Sequence, residues 1–74
     1  MRDRREKFVE LAEKRVGKAI DMLRLIGNLS NSSNYEFDEE DVSKILGALD
    51  GEMRRLRSRF QSGLAKGQPV KFKL

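Results

Sequence analysis

Val9, Ala12, Val16, Ala19, Leu23 and Ile26 recur at spacings of three, four, three, four and three. That period is the seam of an amphipathic α-helix, whereas a strand needs a period of two. It predicts a helix over residues 3–27, with Asp3 as N-cap and Glu6 three residues on, as in a capping box. A second stripe lies one position back: Phe8, Leu11, Met22, Leu25 and Leu29, with Arg15 and Lys18 in its middle. The C-terminal half of this helix is therefore apolar around much of its circumference, more than one partner helix covers. Gly17 interrupts the pattern at a cost of about 1 kcal/mol relative to Ala. With Ala12 and Ala19 it leaves room for another helix to approach closely; a tolerated surface glycine is the other reading.

A second helix is predicted over residues 39–60. Val42, Ile45, Leu49, Met53, Leu56 and Phe60 form its stripe, with Leu46 beside it. Asp38, Glu39, Glu40 and Asp41 mark its start, because a carboxylate at the N-cap accepts orphan N–H groups and acids favour the positive end of the helix dipole. Arg54, Arg55, Arg57 and Arg59 crowd the other end, where cations are favoured. Gly63, Gly67 and Pro69 are helix-ending residues, so a tail is expected over residues 63–74. In it Val70, Phe72 and Leu74 alternate with Lys71 and Lys73, a strand-like pattern that needs an edge to pair with; Tyr35 to Phe37 alternates similarly.

Between the helices, Asn28-Leu29-Ser30 and Asn31-Ser32-Ser33 match the glycosylation sequon. The opening decapeptide MRDRREKFVE has no apolar run of the kind a secretory signal needs, so both matches read as accidental. A ligand loop is conceivable from the Asn and Ser donors and acceptors, but the favoured reading is a structured corner. Gly27 or Asn28 suits a left-handed helix-ending residue, Asn and Ser satisfy their own backbone, and Phe37 precedes the N-cap as a hydrophobic staple candidate. The five acids from Glu36 to Asp41 lack the spacing of a calcium loop, and helix-start electrostatics accounts for them.

A chain of 74 residues buries too little surface to be a generously stable monomer. It has no Cys and no His, which removes disulfides, thiolate or imidazole metal sites and the commonest catalytic base. No metal or other cofactor is expected, and association is the remaining source of stability. The predicted fold is all-α: an antiparallel two-helix hairpin over residues 1–62, dimerising into a four-helix arrangement, with a short C-terminal β-strand or extended tail. The interface is expected at Leu11, Met22, Leu23, Leu25, Ile26 and Leu29, together with Val70, Phe72 and Leu74.

Charge is segregated. Residues 1–27 carry +3, residues 28–53 carry −6, and residues 54–74 carry +7 with no acid at all. An antiparallel hairpin would gather Arg2, Arg4, Arg5 and Lys7 beside the arginines of the second helix. Arg4, Arg5, Arg54, Arg55, Arg57, Arg59, Lys71 and Lys73 are the candidate phosphate-contacting residues for DNA or RNA. No helix-turn-helix, ribbon or RNA-recognition signature is present, so recognition would be driven by charge and shape. The alternative is a protein-interaction module whose cations meet an acidic protein surface and whose tail adds to a sheet edge. Enzyme catalysis is not expected, nor a small-molecule substrate, and no stretch approaches the ~20 apolar residues of a membrane span.

The run RLIGNLSNSSNYEFDEEDV, with the downstream helix and the KFKL ending, resembles small uncharacterised proteins carried on bacterial plasmids, phages and integrated conjugative elements. The resemblance implies a bacterial, cytoplasmic accessory protein and carries over no functional residue.

Overall fold

A computed structural model describes residues 3–66. Among them are two α-helices, α1 from Arg4–Gly27 and α2 from Glu39–Lys66, and a 3-10 turn at Asn28–Ser30, with no strand. The chain divides into two units between Glu36 and Phe37. The strand-like segment 70–74 and the Gly67–Pro69 break lie outside the described residues.

Asp3 starts α1 as its spacing predicts. It is extended at φ −80°, and its carboxylate accepts the Arg5 N–H at 2.9 Å while its carbonyl accepts the Lys7 N–H at 3.2 Å. One side chain thus satisfies a donor that the first helical turn leaves without a partner. The end of α1 differs from the expected left-handed cap. Gly27 (φ −60°, ψ −28°) and Asn28 (φ −65°, ψ −20°) both stay right-handed, and no described residue has a positive φ. The helix tightens into the 3-10 turn instead, which satisfies terminal carbonyls without a glycine reversal.

Asn31 then organises the corner. Its carbonyl accepts N–H groups from Asn34 at 3.1 Å and Tyr35 at 3.0 Å, and its side-chain oxygen accepts the Ser33 N–H at 3.0 Å. This is the side-chain mimicry of a turn that makes Asn favourable in such loops. In the other unit, the Asp38 carboxylate accepts the Asp41 N–H at 2.9 Å, and the Asp41 carboxylate accepts the Asp38 N–H at 3.1 Å. The pair is a capping box closed by aspartate rather than glutamate. Exposed ion pairs from Lys44 to Glu40 at 3.5 Å and from Arg55 to Glu52 follow along α2.

α2 runs past its expected end near Phe60, through Gly63 to Lys66. Glycine weakens a helix interior by about 1 kcal/mol but does not forbid it. The extra turn adds Leu64 to the apolar stripe, where it is 65% exposed. In neither unit is any described side chain buried. Helices of this length owe most of their stability in water to a covered amphipathic face. Leu25 at 59% and Phe60 at 54% exposure therefore mark faces that require a cover. No helix among the described residues is long and apolar enough to cross a membrane.

Candidate nucleic-acid interface

An α-helix advances about 100° per residue, so consecutive arginines do not share a face. On α2 the apolar stripe from Val42 to Leu64 occupies one side. Arg54, Arg55 and Arg59 fall on the other side, where with Gly51 and Ser58 they line one shallow depression. Ser58 and Arg59 continue with Ser62 and Gly63 into the next. Small residues form the floor and guanidinium groups the rim, so an extended anionic chain can approach the helix backbone closely between charged side chains. Arg57 is set apart from this group, on the flank of the apolar stripe.

The electrostatics of that face follow from what the sequence omits. Arg55 pairs with Glu52, the last acid of the chain. Among the described residues, Arg54, Arg57 and Arg59 form no ion pair with an acid. These exposed cations stand in the second half of α2 but before its last turn, which ends at Lys66 and is where a helix C-terminus favours cations.

The α1 cluster is of mixed sign. Arg4 and Lys7 line a depression together with Asp3 and Glu10. The Arg5 guanidinium lies 5.7 Å from the centroid of the Phe8 ring, a cation–π distance. Arg4 and Arg5 are thus on a locally compensated surface, whereas on the α2 face Arg55 is paired with Glu52 and Arg54 and Arg59 pair with no acid among the described residues. Lys71 and Lys73 lie outside the described residues.

Of the expected interface residues, Leu11 and Ile26 are half-buried on α1, and Met22, Leu23, Leu25 and Leu29 are exposed. Val70, Phe72 and Leu74 lie outside the described residues. Gly51, Ser58 and Ser62 are additions to the candidate site. Their signal is spacing: they recur at seven and four residues on the face opposite the stripe, which a count of basic residues alone does not register. Among the described residues, no group of three acids is placed to hold a metal ion. No protein-family model, no curated protein and no solved structure matches the chain.

Proposed function

We propose that this is a small self-associating helical protein that binds nucleic acid through the basic face of α2, mainly by phosphate contacts. The observation that carries the reading is the group Arg54, Arg55 and Arg59 around Gly51 and Ser58, in a stretch with no acid beyond Glu52. In this reading α1 and α2 close as an antiparallel hairpin, two hairpins form a four-helix arrangement, and Arg4, Arg5, Lys71 and Lys73 extend the phosphate-binding surface. The protein acts by binding rather than catalysis, in the bacterial cytoplasm, as an accessory protein of a mobile genetic element.

The test is a binding titration of duplex and single-stranded DNA and RNA at low salt, comparing the protein with the double variant Arg54→Glu, Arg59→Glu. The reading expects binding that the variant loses. Absence of binding to all four probes at low salt contradicts it.

A second reading has its own support in the apolar side chains that neither unit buries. There the chain is a subunit or inhibitor of a larger protein assembly, and its cations meet an acidic protein surface. That reading expects no nucleic-acid binding and a stable complex with one defined protein recovered by pull-down.

A further inference from the structure

The stripe of α2 runs the whole length of the helix. Val42, Ile45, Leu49, Met53, Leu56, Phe60 and Leu64 are spaced three, four, four, three, four and four apart, an eleven-residue repeat. A repeat of eleven corresponds to about 3.67 residues per turn, close to the natural helix period, so the stripe stays on one face along all of α2. Its midpoint is Met53. Reversing the helix about that point brings Val42 level with Leu64, Leu46 with Phe60 and Met53 with itself, and Leu49 to within one residue of Leu56.

Charge selects the direction of pairing. α2 begins with Asp38, Glu39, Glu40 and Asp41 and carries its arginines from Arg54 to Arg59. Parallel copies would set acids against acids and arginines against arginines. Antiparallel copies centred on Met53 set the arginines level with residues 47–52, a stretch that holds Asp50 and Glu52 and no base.

Asp50 and Arg57 sharpen this choice. They are seven residues apart, so they lie within about 20° of each other on one flank of the stripe but about 10 Å apart along it. Both are exposed, and neither forms an ion pair among the described residues. They are too distant to pair within the helix. Reversal about Met53 brings each to within one residue, about 1.5 Å along the axis, of the other on a second copy. The same placement accounts for Arg57 standing apart from the phosphate-facing arginines.

We propose that the apolar stripe of α2 is a homodimer interface, packed antiparallel against the same stripe of a second copy and held in register by two Asp50–Arg57 ion pairs across the dyad. The proposal rests on the self-association reading above and specifies its interface. Its occupant is a second copy because the charges flanking the stripe, Asp50 and Arg57, are complementary to themselves under reversal.

The test uses the full chain, with association measured by sedimentation. Asp50→Arg alone and Arg57→Asp alone each replace two attractive pairs with two like-charge contacts, and each raises the dimer dissociation constant by roughly tenfold. An equimolar mixture of the two variants re-creates both attractive pairs and regains parental affinity. A parental dimer that neither substitution weakens overturns this interface while leaving self-association intact, and so does weakening that mixing fails to rescue. A parental chain that stays monomeric at high micromolar concentration overturns the self-association reading itself.

Orientation has an independent readout. The chain contains no cysteine, so Ser43→Cys takes a single spin label. Antiparallel pairing about Met53 separates the two labelled positions by about 30 Å. Parallel pairing brings them to about 10 Å, an interhelical distance, and that result overturns the proposal.

Discussion

Asp38 and Asp41 each satisfy the backbone N–H of the other, at 2.9 and 3.1 Å, and so fix where α2 starts. Replacing Asp38 with Ala leaves the Asp41 N–H to water and removes an acid from the positive end of the dipole. The expected loss is about 1 kcal/mol, read as a lower thermal midpoint. Gly47 presents the opposite case. It is helical without a positive φ, and a Cβ added there meets nothing within 4 Å. Gly47→Ala is therefore expected to stabilise the protein by about 1 kcal/mol in the same measurement. Both caps were legible in the sequence because Asp at an N-cap has one dominant physical role. The end of α1 was less legible. A glycine permits a left-handed turn without requiring one, and the 3-10 tightening at Asn28–Ser30 satisfies the same carbonyls.

At the scale of the helix, periodicity made both elements readable, because a three-four spacing sustained over 18 residues is compatible with little else. The grouping of the arginines needed the helix geometry as well. Four arginines within six residues look like one cluster along the chain, yet the turn of the helix sends Arg57 to the apolar flank and Arg54, Arg55 and Arg59 to the polar face. The end of α2 lies about a turn and a half beyond the predicted end near Phe60, because Gly63 weakens a helix without stopping it. The apolar faces carry a prediction of their own. Leu23→Asp and Leu56→Asp each put a charge where the account requires a covered stripe, so association and helix content should fall together in circular dichroism and sedimentation. Ser62→Asp, on the polar face of α2, should leave both unchanged.

For the whole molecule, the decisive feature is the separation of charge: −6 over residues 28–53 and +7 over residues 54–74. Among the described residues it leaves Arg54, Arg57 and Arg59 without an acid, and under the proposed function an external polyanion neutralises them. It would also make the proposed self-association directional, since an acidic and a basic half favour a reversed second copy. The proposed dimer would present six arginines, two copies each of Arg54, Arg55 and Arg59. The most direct test is the salt dependence of duplex binding. With six phosphates neutralised, the slope of log affinity against log salt is expected near about −5 or steeper, a fall of about a thousandfold between ~50 and ~200 mM salt. Arg59→Gln removes two of the six contacts per dimer and should make the slope shallower by about 2. A slope near zero, or one that Arg59→Gln leaves unchanged, would contradict the assignment of phosphate binding to this face of α2.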